Sequence, residues 1–82
     1  MNSITIFFFA ALRDRTGVRI AHLEIPAEAT VAHLRVILCE KFLPLQGLVE
    51  KSFVAINQEY AFDESPIPLG AEVALFPAVS GG

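Results

Sequence analysis

Few side chains in this 82-residue sequence combine the type and the spacing needed for chemistry. His22, His33 and Cys39 match no metal-ligand pattern. Cys39 falls on a predicted helix, where nothing in the sequence offers it an activating partner. The glycines at 17, 47, 70, 81 and 82 are scattered and build no phosphate cradle. Asp63-Glu64 reads as a solvated turn, and Arg13 with Asp14 as a surface ion pair of little energetic worth. The remaining reactive group is the chain end, Leu75-Phe76-Pro77-Ala78-Val79-Ser80-Gly81-Gly82. An α-carboxyl group is ionised at neutral pH. A carboxylate resists acyl substitution but is a competent nucleophile toward the α-phosphate of ATP. The acyl-adenylate so formed is an electrophile, and sulfur replacing AMP gives a thiocarboxylate. That chemistry needs access rather than a side chain. Glycine, without a Cβ, makes the thinnest peptide and enters a channel that any side chain would block.

The reach is adequate. Five residues beyond Pro77 span roughly 16–18 Å when extended, enough to carry a carboxylate from a domain surface into a partner's active site. Gly82 is therefore the expected reactive residue, with Gly81, Ser80 and Val79 as the inserted tail. The plainer reading is a frayed terminus, common in small domains. The rest of the chain has to decide between them.

Composition limits the possibilities. The length fits one domain with a small core. With 54% hydrophobic residues and seven phenylalanines, apolar surface is sufficient for a core, and a surplus is expected outside as a contact patch. The longest apolar run, residues 6–12, falls far short of the ~20 residues of a membrane span. No basic region followed by a secretory hydrophobic stretch is seen at the start, so no signal peptide is expected. A single cysteine excludes an internal disulfide and fits a reducing, cytoplasmic setting. A net charge of -3 argues against a nucleic-acid partner.

The elements that must present the tail follow from periodicity. Residues 3–11, rich in Ile, Phe and Thr, predict a first strand with Ile4, Ile6, Phe8 and Ala10 on one side and Thr5, Phe7 and Phe9 on the other. Both sides are apolar apart from Thr5. With no second cover in so small a domain, Phe7 and Phe9 are left for a partner. Residues 13–17 read as a turn and 18–25 as an antiparallel second strand. Ile20 is out of phase with Leu23 and Ile25 there, and a bulge near Ala21 and His22 would reconcile them. Thr30 reads as an N-cap, and Val31, Leu34, Ile37, Leu38 and Phe42 form one helical face. His33, Arg35 and Glu40 are expected to be more exposed. His33 in place of Glu or Gln predicts no full capping box. Pro44 stops the helix near Phe42. Residues 45–52 read as a connector with a short helical turn, 53–57 as a third strand, 60–62 as a short strand, 63–70 as irregular and 72–76 as the last strand. A hairpin, a helix crossing a mixed sheet and later strands make an α+β plan, with strand three or the last strand beside the first. The order resembles the β-grasp, or ubiquitin-like, fold, a mixed sheet of four to five strands covered by one main helix. Residues 1–77 are expected to form this domain and 78–82 a flexible tail.

With these elements in place, the tail closely resembles the C-terminus of the small subunit of molybdopterin synthase, the MoaD sulfur-carrier family. Phe8-Phe9-Ala10-Ala11-Leu12-Arg13-Asp14 is similar to that family's first strand and following turn, and Thr30-Val31-Ala32-His33-Leu34-Arg35 to its helix start. Val54-Ala55-Ile56-Asn57-Gln58 and Gly70-Ala71-Glu72-Val73-Ala74 resemble its later strands.

The resemblance implies a carrier that is no enzyme on its own and binds no cofactor. An activating adenylyltransferase of the MoeB type would use ATP and a sulfur donor to make the thiocarboxylate at Gly82. The tail would then enter the large subunit of the synthase, a MoaE-like partner, and donate sulfur to a pterin precursor to form the molybdopterin dithiolene. The family further suggests a two-plus-two heterotetramer. Phe9, Tyr60 and Phe76 match positions that in the family contact the large subunit, and Phe7 shares their predicted face. Two departures stand out. Ala71 occupies a position where the family often has Asp, so a side-chain hydrogen bond in that turn is expected to be missing. Ala78 replaces a common second proline, which predicts a more flexible tail. The alternatives are a carrier for thiamine, amino-acid or tRNA thiolation, a protein modifier joined to lysines as ubiquitin is, and a non-reactive interaction module.

Overall fold

A computed structural model describes residues 1–78. The first strand, β1 (Asn2–Phe8), alternates strictly: Ile4, Ile6 and Phe8 are buried, while Ser3, Thr5 and Phe7 face the other way. After the short helix α1 (Ala11–Thr16), β2 (Ile20–Ile25) pairs antiparallel with β1. The main helix α2 (Val31–Lys41) follows, then two short 3-10 turns at Leu43–Leu45 and Val49–Lys51. The chain returns through β3 (Phe53–Ile56), β4 (Glu59–Ala61) and β5 (Glu72–Phe76). The sheet order is β2-β1-β5-β3-β4, with β5 parallel to β1 and the other neighbours antiparallel. This is the β-grasp arrangement, and it is the last strand that lies beside the first.

The helix covers one face of the sheet. Val31, Leu34 and Leu38 are buried against Ile4, Ile6, Phe8, Val54, Val73 and Leu75. Phe42 packs edge-on against Phe8, with ring centroids 5.3 Å apart. Pro44 disfavours α geometry at the residue before it, and the helix gives way to the 3-10 turn there.

Several expectations need correction. Strand β1 ends at Phe8, three residues early, because Ala10 adopts φ 51° and turns the chain into α1. The predicted turn at 13–17 is therefore mostly helix, closed by Gly17 in the left-handed conformation at φ 72°. No bulge interrupts β2. Its register runs unbroken from Asn2↔Ile25 to Phe7↔Ile20, and β2 begins at Ile20 rather than at residue 18. Ile20 is out of phase because it belongs to the uncovered face, where it sits opposite Phe7. A full capping box does form. The Thr30 N–H donates to His33 Nδ1 at 3.1 Å while the His33 N–H donates to Thr30 Oγ1 at 3.5 Å, so an imidazole nitrogen does the work of a carboxylate. The β3–β4 turn falls one residue earlier than expected, with the same two-residue length. Asn57 and Gln58, at φ 49° and 73°, form a two-residue turn between Ile56 and Glu59.

Two polar side chains fasten the loops. Arg35 is not a freely solvated helix residue: its side chain is only 17% exposed. Its Nε donates to Asp63 Oδ1 at 2.8 Å, and its Nη1 donates to the carbonyls of Val49 and Ser52. Asp63 lies in an exposed turn, as expected, and is in addition paired with Arg35, the ion pair found among the described residues. At the opposite end, Asn2 is buried. Its Nδ2 donates to the carbonyls of Ile67 (3.2 Å) and Pro68 (2.9 Å), and its Oδ1 accepts from the Gly70 N–H (2.8 Å). The turn before β5 thus obtains its side-chain hydrogen bond from Asn2, although Ala71 itself is buried and apolar.

Candidate functional site: the uncovered sheet face and the root of the tail

Strand register assembles the uncovered face. Residues of like parity on neighbouring strands line up as Ile20, Phe7, Ala74, Ala55 and Tyr60, one from each strand in sheet order. The next row toward the end of β5 pairs Phe76 with Phe53. Phe9, just past β1, donates its N–H to the Leu75 carbonyl at 3.2 Å and stacks its ring on Phe76, with centroids 4.7 Å apart and planes 14° from parallel. Phe53 and Tyr60 meet edge-on at 6.4 Å. Tyr60 is 75% exposed, Phe53 53% and Phe9 42%, an unusual amount of aromatic surface for a domain of this size.

The polarity of the face is graded along the strands. In the row on the other side of Phe7, Thr5 lies opposite His22 and beside Glu72, and Thr5 Oγ1 is 3.3 Å from His22 Nδ1. The aromatic end is thus the end at which β5 stops. Pro77 follows Phe76, lacks an N–H for the ladder and so terminates the sheet where the tail begins. The apolar platform and Pro77, the residue at which the sheet stops, share one edge.

An open concavity of about 460 Å³ occupies this face, lined by Phe7, Phe9, Ala55, Gln58, Tyr60, Glu72, Ala74 and Phe76. Phe7, Phe9, Tyr60 and Phe76, the four side chains singled out from the sequence, are thus brought together around one hollow. Val79, Ser80, Gly81 and Gly82 lie outside the described residues. Phe53, Ala55 and Ala74 complete the face and were not singled out, although their parity with Phe76 and Phe7 was available once the register was fixed. A second concavity, of about 470 Å³, lies at the β4 edge beside Phe53, Tyr60 and Phe62. Two charged groups of its lining, Arg35 and Asp63, are already paired with each other, and it does not reach the tail root. Among the described residues there is no cluster of three or more His, Cys, Asp or Glu that could hold a metal ion, and no helix long and apolar enough to cross a membrane. Cys39 is a half-buried free thiol on α2.

The ThiS family model matches residues 6–82, all but the first five positions. The chain belongs to the ThiS family. Within it, the whole chain aligns with the whole of the molybdopterin synthase sulfur carrier subunit of Caenorhabditis briggsae at 33% identity. The corresponding subunit of Arabidopsis thaliana is 32% identical over 96% of this chain and 82% of its own length. Both are named as carrier subunits, in agreement with the expectation of a carrier rather than an enzyme. Among solved structures, small archaeal modifier protein 1 of Haloferax volcanii superposes with a TM-score of 0.86 at 25% identity, over 96% of this chain and all of that one. The fold also recurs in a protein–protein complex of subunits 1 and 2 of the Helicobacter pylori molybdopterin-converting factor. That likeness has a TM-score of 0.69 at 20% identity and covers 98% of this chain and 99% of that one.

Proposed function

We propose that this protein is the sulfur-carrier subunit of a molybdopterin synthase. The observation that carries the proposal is the end-to-end likeness to a named molybdopterin synthase sulfur carrier. It is supported by a sheet face whose aromatic end coincides with the root of a Gly-Gly tail.

The Gly82 carboxylate oxygen attacks the α-phosphorus of ATP on a MoeB-type adenylyltransferase, expelling pyrophosphate and forming an acyl-adenylate. A sulfur nucleophile from the donor then attacks the acyl carbon. AMP leaves with the bonding electron pair; from a persulfide donor this gives an acyl disulfide, whose S–S bond a thiol then cleaves, forming a disulfide with the donor sulfur and leaving the thiocarboxylate. Val79, Ser80 and Gly81 carry this group into the large subunit, a MoaE-like partner, where its sulfur is transferred to a pterin precursor and contributes to the dithiolene. The carrier binds no cofactor of its own, and ATP and the sulfur donor act through the activating enzyme. Phe7, Phe9, Tyr60 and Phe76 form its contact with the large subunit. Such a contact derives its strength from desolvated aromatic anchors near its centre. The free thiol of Cys39 fits a cytoplasmic location, where disulfides are rare.

A second reading, a protein modifier, draws on the likeness to small archaeal modifier protein 1. Incubation with ATP, a sulfur donor and the cognate activating enzyme, followed by mass spectrometry, separates the two. A carrier gains an oxygen-to-sulfur change at Gly82. A modifier yields isopeptide-linked products on lysines.

A further inference from the structure

The hollow on the uncovered face has one charged wall. Glu72 lines it together with Phe7, Phe9, Tyr60 and Phe76. Its backbone is held rigidly: the Glu72 N–H donates to Asn57 Oδ1 at 2.9 Å, and its carbonyl accepts the Asn57 N–H at 2.8 Å. Its side chain is exposed and has no cationic partner within ion-pair distance among the described residues. Free in water, that carboxylate costs nothing. Covered by a partner, it would lose its hydration, and an unpaired buried charge is strongly unfavourable. A protein that closes over this face must therefore bring a positive charge to Glu72.

The surroundings specify the kind of cation. Aromatic rings and the small side chains of Ala55 and Ala74 line the hollow beside the carboxylate. A long side chain with an apolar stem fits such a lining if its charged head can reach the rim. Arginine suits it best, because its planar guanidinium stacks on aromatic faces and binds a carboxylate in bidentate fashion. We infer that the hollow is an arginine-docking site. An arginine of the large subunit lays its stem across Phe7, Ala74 and Tyr60 and pairs its guanidinium with Glu72. This inference rests on the proposed function and adds the chemistry by which the partner is selected. Aromatic surface alone attracts many apolar patches, whereas a fixed carboxylate at the rim rejects those that leave it unpaired.

The test is calorimetric titration of the cognate large subunit with the full-length protein and with Glu72→Gln, at low and high salt. The isosteric amide removes the charge and keeps the shape, and thermal melts of both proteins verify equal folding. The expected result is about 5- to 30-fold weaker binding for Glu72→Gln, together with a flatter salt dependence than that of the unsubstituted protein. Glu72→Gln binding within twofold of the unsubstituted protein, or weaker binding with an unchanged salt dependence, overturns the inference and leaves the carrier reading standing. If the unsubstituted protein fails to bind the large subunit at all, the carrier reading fails and takes the inference with it.

Discussion

Phe8 and Phe9 are neighbours in sequence with opposite duties, and exchanging them one at a time separates folding from docking. Phe8 is 2% exposed and packed on Phe42, so Phe8→Ala opens a cavity in the core, a change that costs about 3–5 kcal/mol. Phe9 is 42% exposed, so little more than half of a full phenylalanine burial is lost on truncation, about 1–2 kcal/mol. Losing the stack on Phe76 adds about 0.5–1.5 kcal/mol. Urea unfolding should therefore rank Phe8→Ala as clearly the more destabilising. Binding should rank them the other way. Phe9→Asp, whose carboxylate is solvated in the free domain, would have to bury an unpaired charge in the complex. A loss of about 3 kcal/mol or more is expected, upwards of 100-fold in Kd by calorimetry. A Phe9 variant as unstable as Phe8→Ala would refute the assignment of the two faces. A Phe9→Asp variant that binds the large subunit unchanged would refute the docking role.

Other consequences concern the scaffold. Arg35→Met removes two hydrogen bonds to backbone carbonyls and one ion pair, and should cost about 2–4 kcal/mol in urea unfolding. Asp63→Asn loses only the exposed pair and should cost less than about 1 kcal/mol; equal effects would show that the carbonyl contacts contribute nothing. Ala10→Gly relieves a positive φ that favours glycine and should raise stability by about 0.5–2 kcal/mol, so a lower midpoint counts against the backbone geometry. His33→Ala should cost about 0.5–1 kcal/mol through the lost capping box, while His33→Gln, which can still accept from the Thr30 N–H, should retain most of it.

The parts of the fold legible in the sequence are those fixed by local rules. Thr30 and Pro44 bracket α2 through capping and through proline's constraint on its predecessor, and the alternation of Val73 and Leu75 with Ala74 and Phe76 defines β5 without a turn signal inside it. The end of β1 was not legible, because the apolar run from Ile6 to Leu12 continues past it. The residue that turns the chain is Ala10, which carries no glycine-like mark. The supposed bulge came from assigning every apolar residue of β2 to the core. Ile20 serves the other face, a fact that only its pairing with Phe7 reveals. The roles of Arg35 and Asn2 are not legible in the sequence because their partners are distant along the chain: Val49, Ser52 and Asp63 for one, Ile67, Pro68 and Gly70 for the other. For the candidate site, the alternation of β1 and β5 put Phe7, Phe9 and Phe76 on one face, and the family resemblance contributed Tyr60. The charged rim at Glu72 required the hollow itself.

The most direct test of the carrier role is the intact mass of the protein after incubation with ATP, a sulfur donor and the cognate activating enzyme. A mass change equal to oxygen replaced by sulfur is predicted, assigned to Gly82 by fragmentation and lost when Gly82 is deleted. An unchanged mass at Gly82 under conditions in which the same enzyme activates an authentic carrier would contradict it.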